Sequence, residues 1–414
     1  MATSAHDETA GGTAPGYRQL AGVLVPGLIA FSMGQTVLFA LAGPVFRDIG
    51  LSETQLGIIV SSAAVMFVIS SGVWGTISDR WGRKPTVVFG LFTYSIVSAA
   101  FAGVLHLGLN GLVVSSAVFG WLLTLRLLYA ALGAGIQPAS VAMMADASTK
   151  ADRSSAVAIV GAAFGIGMVL GPAAAAVLVG FGVLTPLYVV AGLGFVCAVV
   201  AQIGLPRTSH QAAGRESASR IPLGKIALVL LGTVLVFMTM AVIQQTLAFN
   251  LQDLLNLESI DAARLTGFCF MAIAIAMLVV QGGVIQALKV TPSTLLLIGP
   301  PLVVLSVLAY VFADGFIAML IASAGIGIGF GFTIPGLQSA VSVVAGSGEQ
   351  GRIAGVMQAA MSVGFVFGPI VGTSVYELSR VYAAYLALGA TLAALAVIYL
   401  WRWMHQVELA QATE

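Results

Sequence analysis

The chain has 414 residues, of which 59% are hydrophobic and only 8% are charged, and its formal net charge is +1. Soluble domains carry about 25% charged residues, so this composition excludes an ordinary soluble fold and predicts a membrane protein with many spans. The near-neutral charge gives no reason to expect a nucleic-acid partner. The two cysteines, Cys197 and Cys269, lie in apolar runs far apart in the chain, so we expect neither a disulfide nor a metal site.

Apolar runs long enough to cross a bilayer recur twelve times, where one crossing needs roughly 20 residues. The sequence therefore predicts an all-α membrane protein with twelve transmembrane helices. The runs cover about 20–43, 54–77, 86–106, 114–144, 155–179, 182–204, 226–250, 265–286, 293–312, 316–344, 354–376 and 382–401. The fourth and tenth runs are long for a single crossing, so we expect each to include part of a loop or a bend.

The lysines and arginines predict the orientation of the chain, because cytoplasmic loops carry an excess of both. With the N-terminus placed inside, thirteen of them lie in cytoplasmic segments and three, Arg47, Arg264 and Arg380, lie outside. Both termini are therefore expected in the cytoplasm. The predicted segments are an N-terminal tail (1–19), a first six-helix bundle (20–205), a basic linker (206–225), a second six-helix bundle (226–401) and a C-terminal tail (402–414).

The two predicted bundles resemble each other in sequence. Span 1 reads QTVLFAL from Gln35 to Leu41, and span 7 reads QTLAFNL from Gln245 to Leu251. Further matching pairs follow in the same order: Gly57/Gly267, Gly72/Gly282, Pro138/Pro335, Gly167/Gly364, Gly171/Gly368 and Pro172/Pro369. Such an ordered series indicates a parallel repeat of six spans, a transporter architecture in which substrate sites lie near the bilayer midplane where the repeats meet.

The loop between spans 2 and 3 carries a cluster of charges in a chain where charges are scarce. It reads GTISDRWGRK from Gly75 to Lys84. This pattern resembles the signature loop between spans 2 and 3 of the major facilitator superfamily. The residues that carry the resemblance are Gly75, Asp79, Arg80, Gly82 and Arg83.

The resemblance implies a gate on the cytoplasmic side. Asp79 would lie near the N-terminus of span 11, where a helix dipole favours negative charge. Arg83 would reach Asp146, which together with Arg153 resembles the inner loop between spans 4 and 5 of the same superfamily. The arginines alone could instead only set the topology, an explanation that does not account for Asp79.

Spans 4 and 5 resemble motifs of the twelve-span drug:proton antiporters. In span 4, Arg126 is followed by Gly133 and Gly135, although Tyr129 and Ala130 replace the usual glutamine and glycine. In span 5 the matching residues of the antiporter motif are Gly161, Gly167, Gly171 and Pro172. Small residues at these positions allow close approach of helices.

Arg126 is the only formal charge predicted within a span, and such charges usually face a cavity or a partner. One interpretation is a fixed positive charge that binds an anionic substrate group or assists proton exchange. The other is that Arg126 bonds backbone carbonyls and helps the bundle to fold.

The resemblance also implies that spans 1, 4, 7 and 10 line a central cavity. Amides without partners are costly in lipid, so the polar side chains of these spans should face inward. The alternative is hydrogen bonding between helices. The predicted substrate-binding residues are Gln35, Thr36, Phe39, Arg126, Tyr129, Gln137, Gln245, Phe249, Asn250, Gln338 and Gln358.

The predicted function is secondary transport by alternating access, with proton-coupled efflux of small organic molecules or drugs as the first hypothesis. Transport of an organic anion held by Arg126 is the alternative. No span carries an acidic residue deep inside, so coupling would use Asp48, Asp79 or Asp253 near a helix end, or a proton carried by the substrate, and uniport stays open.

The expected partners are a small-molecule substrate, protons and the lipid bilayer, with no cofactor, no metal and no nucleic acid. We expect a monomer in the inner (cell) membrane. No enzyme motif for phosphate binding, zinc proteolysis or serine hydrolysis is present in the sequence, so we predict that the chain is not an enzyme.

Overall fold

A computed structural model describes residues 16–149, 152–206, 223–345 and 350–405. In this part of the chain, twelve helices are long and apolar enough to cross a membrane, as the sequence predicts. They are α1 (Tyr17–Asp48), α2 (Glu53–Trp81), α3 (Arg83–Leu109), α4 (Ser115–Asp146), α5 (Arg153–Phe181), α6 (Thr185–Gly204), α7 (Leu223–Leu255), α8 (Ser259–Ala287), α9 (Pro292–Val311), α10 (Phe316–Ala345), α11 (Gln350–Leu378) and α12 (Arg380–Met404).

The long fourth run is a broken helix, whereas the long tenth run is a continuous one. The first part of α4 ends at Gly133, and a second part begins at Ile136, so the expected bend lies in α4. No corresponding break occurs in α10 between Phe316 and Ala345. A single π-helical turn interrupts α8 at Val280–Val284.

The matching segments 167–172 of α5 and 364–369 of α11 pack in the same way, each against the first helix of its own half. A side chain on Gly167 would approach the Ile29 carbonyl oxygen of α1 to 2.6 Å, and one on Gly171 would overlap the Thr36 hydroxyl. Correspondingly, Gly364 and Gly368 lie against the backbone of α7. The repeat in the sequence therefore corresponds to one type of helix pair, which occurs once in each half as α1 with α5 and α7 with α11.

The two halves meet where α2 packs on α11 and α5 packs on α8. Another matched pair of glycines permits this close approach. Gly57 of α2 lies against Thr373 and the backbone of α11, and Gly267 of α8 lies against the backbone of α5 at Pro172.

Among the described residues, the polar contacts between the halves lie towards one end of the bundle, which we call the Arg47 end. Every hydrogen bond or ion pair between a described residue of one half and a described residue of the other lies in the half of the bundle nearest Arg47. These contacts are Arg47–Asp253 at 2.5 Å, Arg47–Gln252 at 3.3 Å, Thr54–Glu377 at 3.2 Å, Thr54–Ser374 at 3.4 Å, Ser61–Ile370 at 3.1 Å and Ser259–Pro44 at 3.5 Å.

We call the opposite end of the bundle, where Arg83 lies, the Arg83 end. Apolar side chains are exposed along the helices of the interface, for example Ile69 of α2 (61%) and Leu278 of α8 (52%). The polar contacts between described residues of the two halves are thus concentrated towards Arg47.

Candidate functional site

A cavity of about 100 Å³ lies between the two halves. Helices α1 and α5 of the first half and α7 and α8 of the second supply its walls. Its lining residues are Thr36, Phe39, Gly165, Met168, Val169, Pro172, Met240, Gln244, Phe270, Ile273, Ala274, Met277, Leu278 and Gln281. We call this space the inter-half cavity.

Thr36 and Phe39 are the members of the predicted substrate-binding set that line the inter-half cavity, and they are joined there by Pro172 of the antiporter motif. The Thr36 hydroxyl also bonds back to the carbonyl of Met33 on its own helix at 3.2 Å. Thr36 and Phe39 therefore give the α1 wall of the cavity one hydroxyl group and one phenyl ring.

Gln244 and Gln281 line the cavity but were not predicted from the sequence. Gln244 directly precedes the repeated Gln245. Because one residue corresponds to a rotation of about 100° around a helix, the two side chains lie on different sides of α7. Gln281 lies in the π-helical turn of α8, a distortion that is frequent at functional sites. An amide in the apolar run of span 8 was a usable signal, since an unpaired amide is costly in lipid.

The predicted residues of span 7 lie away from the inter-half cavity. Gln245 is buried, and its amide nitrogen has no hydrogen-bond partner. The ring of Phe249 lies 4.8 Å beneath the Arg47 guanidinium, and Asn250 donates a hydrogen bond to the Tyr310 hydroxyl at 3.0 Å. These contacts give Phe249 and Asn250 structural partners, and their role in substrate binding stays a prediction.

The remaining predicted glutamines are more accessible. Gln35 is half-buried, while Gln137, Gln338 and Gln358 are exposed. Exposure alone does not distinguish a surface that faces lipid from one that faces an opening between the halves, so their assignment to the substrate site stays a prediction.

Arg126 and Tyr129 line a second, smaller cavity that lies within the first half. Arg126 is only 9% exposed, and its guanidinium carbon lies 4.6 Å from the centre of the Tyr129 ring. The nitrogen Nε of Arg126 and the hydroxyl of Tyr129 are buried without a hydrogen-bond partner. The structure thus separates Arg126 from Thr36 and Phe39, which the sequence places in one site.

The Arg47 guanidinium bridges carboxylates from both halves. Its nitrogens lie 2.5 Å from Glu53 of the first half and 2.5 Å from Asp253 of the second. The Tyr376 hydroxyl donates a further hydrogen bond to Asp253 at 2.6 Å. We call these four residues the outer cluster, a name that follows the orientation predicted from the loop charges.

The predicted cytoplasmic gate residues lie together at the Arg83 end. Arg83 bonds Asp79 at 2.5 Å, Asp146 at 3.4 Å and Ser78 at 3.1 Å, all within the first half. Residues 346–349, just before α11, lie outside the described part, so the predicted contact of Asp79 with the beginning of that span stays a prediction.

The other predicted gate residues flank this cluster. Gly82 has a φ of 102°, which joins α2 to α3 in a conformation that other residues rarely adopt. Arg80 and Arg153 are exposed, and Gly75 is half-buried with open space around its α-carbon. In the antiporter motif, Gly161 likewise faces open space, in contrast to Gly167 and Gly171.

Only neutral side chains line the inter-half cavity in the described part of the chain. Three thioethers and two phenyl rings supply an apolar surface, and two amides and one hydroxyl can exchange hydrogen bonds. This chemistry is suited to holding an apolar molecule with a few polar groups, and it offers no side chain for covalent chemistry.

Comparison with known proteins agrees with this geometry. The family described as Major Facilitator Superfamily matches residues 24–369. Multidrug resistance protein 2 of Bacillus subtilis (strain 168) is 25% identical over 390 residues, which cover 92% of this chain and 94% of that protein. Quinolone resistance protein NorA of Staphylococcus aureus (strain MRSA252) is 25% identical over 382 residues, covering 89% and 92% of the two chains.

Among solved structures, a bacterial homolog to the human lysosomal transporter Spinster, in an inward-facing and unoccupied conformation, superposes with a TM-score of 0.72 at 14% identity and covers 96% of this chain and 98% of its own. At that identity the likeness concerns the fold alone. The family match extends over both six-helix halves, so the protein is a multi-pass membrane transporter that belongs to the major facilitator superfamily.

Proposed function

We propose that this protein exports small, largely apolar organic molecules across the cell membrane by alternating access. The observation that carries the proposal is the inter-half cavity, which lies where the two repeats meet and is lined by methionine, phenylalanine and glutamine side chains. Repeat interfaces are the usual place for a transporter's substrate site. Flexible thioethers suit a site that accepts ligands of different shapes.

The names of the relatives support the substrate class. Proteins that match this chain over about nine-tenths of its length are called multidrug resistance and quinolone resistance proteins. Quinolones and hydrophobic dyes are therefore the first compounds to test in transport assays.

The excess of lysine and arginine in predicted inner loops supports a cytoplasmic position for the Arg83 end. With that orientation, the polar contacts between described residues of the two halves lie towards the outer side. This arrangement supports an inward-facing state that is ready to accept a substrate from the cell.

Asp253 is our candidate for the proton-binding residue. It is the acidic member of the second half in the outer cluster, and it holds both Arg47 and Tyr376. Protonation would remove its charge, weaken the ion pair with Arg47 and so favour opening of the outer side. Binding and release of a proton at Asp253 would then be linked to opening and closing of the outer side. Asp48 and Asp79 are both exposed near helix ends and are the alternatives.

The proposal can be tested with purified protein in liposomes that carry an imposed pH gradient. We expect flux of a hydrophobic dye or a quinolone that depends on the gradient, and we expect Asp253→Asn to uncouple the flux from it. The matched control is Asp261→Asn, which removes a carboxylate that pairs with Arg264 within α8 alone. Absence of flux for every compound of a broad panel would contradict the proposal.

Organic anions belong in the same panel. The structure does not favour them, because the inter-half cavity has no cationic lining and Arg126 lies in a separate, smaller space. If an organic anion is transported and its flux is lost in Arg126→Ala, the anion would become the preferred substrate class.

A further inference from the structure

We propose that the cavity beside Arg126 is a binding site for a small inorganic anion, of which chloride is the obvious physiological example. This cavity is distinct from the inter-half cavity and shares no lining residue with it. Its walls come from α1, α3, α4 and α6, all of the first half. The lining residues are Gly34, Leu38, Val97, Ser98, Phe101, Leu125, Arg126, Tyr129 and Leu187.

The charge balance of the site is the first argument. A guanidinium keeps its proton in proteins, so Arg126 carries a full positive charge. It is 91% buried, and no carboxylate of a described residue pairs with it. A buried charge without a partner is strongly destabilising, whereas a bound anion would neutralise it.

The hydrogen-bonding capacity of the lining is the second argument. Arg126 Nε and the Tyr129 hydroxyl are both buried and unpaired, and both can donate a hydrogen bond. Ser98 contributes a second hydroxyl as a third donor, and the other lining side chains are apolar. No acidic side chain lines the cavity, so the polar groups around it are matched to an acceptor rather than to a cation.

Size decides the class of anion. The free volume is about 20 Å³, and a cavity needs roughly 10–15 Å³ to hold one water molecule. A single halide ion is therefore close to the limit of what fits without movement of the walls. A carboxylate on an organic molecule is larger, which separates this site from the proposed substrate site.

The role that follows is structural support of the first half. Phe31, Tyr94 and Tyr129 pack against one another beside Arg126, with ring centres 5.3–5.9 Å apart, and they link α1, α3 and α4. A bound anion would hold the guanidinium against this cluster and stabilise the packing of the first half.

The test uses the full-length protein in detergent, with unfolding followed by tryptophan fluorescence. Sodium chloride or bromide is compared with sodium gluconate at constant ionic strength, because gluconate is too large for the cavity. We expect a saturable rise in melting temperature of about 2–5 °C with either halide. Arg126→Gln should abolish the rise, and Arg264→Gln, which removes a cation whose side chain is 40% exposed, should retain it.

A second measurement covers the case in which Arg126→Gln does not fold. Crystals of the unmodified protein soaked in bromide should show an anomalous peak within about 3.5 Å of the Arg126 guanidinium. Equal melting temperatures in halide and gluconate together with no such peak would overturn the proposal, as would a halide response that persists in Arg126→Gln. Neither result depends on transport, so the outcome is independent of the function proposed above.

Discussion

Among the described residues, Arg47 is the side chain that carries the ion pair between the two halves. It pairs with Glu53 of its own half and with Asp253 across the interface, and its guanidinium lies over the Phe249 ring. Its side chain is 26% exposed and that of Asp253 is 37% exposed, so solvent screens the pair in part. An ion pair screened in this way typically contributes about 0.2–1 kcal/mol.

Replacing Arg47 by glutamine should shift the protein towards the state that is open at the Arg47 end. The expected change in the equilibrium is about two- to fivefold, which is the scale of a partly screened ion pair. The rate at which a cysteine at Ser374 reacts with a water-soluble maleimide would report it, in a background without Cys197 and Cys269. Arg264→Gln is the control, because its pair with Asp261 does not cross the interface; an equal effect of the two substitutions would argue against the assignment.

Asp79→Asn should reduce transport while expression and insertion stay near normal. The carboxylate is 60% exposed and pairs with Arg83 in the structure, so its loss should cost little folding stability. The reason for lost transport would be a weaker closure of the Arg83 end in the opposite state. Dye efflux from cells, normalised to protein in the membrane, measures it. Asp152→Asn removes an exposed carboxylate bonded to Thr149 at the same end and is the matched control, and unchanged efflux in Asp79→Asn would refute the gate.

At this scale the sequence predicts the types of residue better than their directions. The repeat draws attention to Gln245, whereas the amide that lines the inter-half cavity belongs to its neighbour Gln244. Likewise, Arg126 is identified as an unusual charge, but its direction into the first half depends on the packing of α3, α4 and α6. The rotation of a helix about its axis is fixed by tertiary contacts, which an almost uniformly apolar span does not encode strongly.

At the scale of helices, the spans themselves follow from the sequence. Twelve apolar runs become twelve helices, and small residues mark where two of them meet closely. The π-helical turn of α8 could not be predicted, because Gln281, Gly282 and Gly283 are all compatible with an ordinary helix end. The break in α4 falls at Gly133 and Gly135, where glycine weakens the helix.

Gly167→Ala should destabilise the first half, because the new methyl group would lie 2.6 Å from the Ile29 carbonyl oxygen and from Ser32 Cβ. Overpacking of this kind costs about 1–3 kcal/mol. The melting temperature of the purified protein should fall measurably. Gly161→Ala, on the same helix but with nothing within 4 Å of the new methyl group, should leave it unchanged. Equal melting temperatures of the two variants would mean that the α1–α5 contact is more adaptable than the structure indicates.

At the scale of the whole molecule, the structure is two similar bundles joined at one end. The sequence predicts the two halves and their order, because the matching residues recur in series along the chain. It does not predict which end carries the polar contacts, because the same helices extend to both ends of the bundle. That information lies in contacts such as Thr54–Glu377 and Thr54–Ser374, which only the assembled halves create.

A disulfide across the Arg47 end should stop transport reversibly. The hydroxyls of Thr54 and Ser374 lie 3.4 Å apart on different halves, so cysteines at these two positions are close enough to be oxidised together. In a background without Cys197 and Cys269, oxidation of the double variant should abolish flux, and reduction should restore it. Each single variant should be insensitive to the oxidant. Full activity of the cross-linked protein would exclude opening at the Arg47 end as part of the cycle.

The three thioethers of the inter-half cavity have a consequence for inhibitor design. Met168, Met240 and Met277 can each adopt many rotamers, so the hollow has no single shape against which a rigid compound can be matched. Resistance to a competing compound should therefore arise by small repacking of these side chains, at different positions for different compounds.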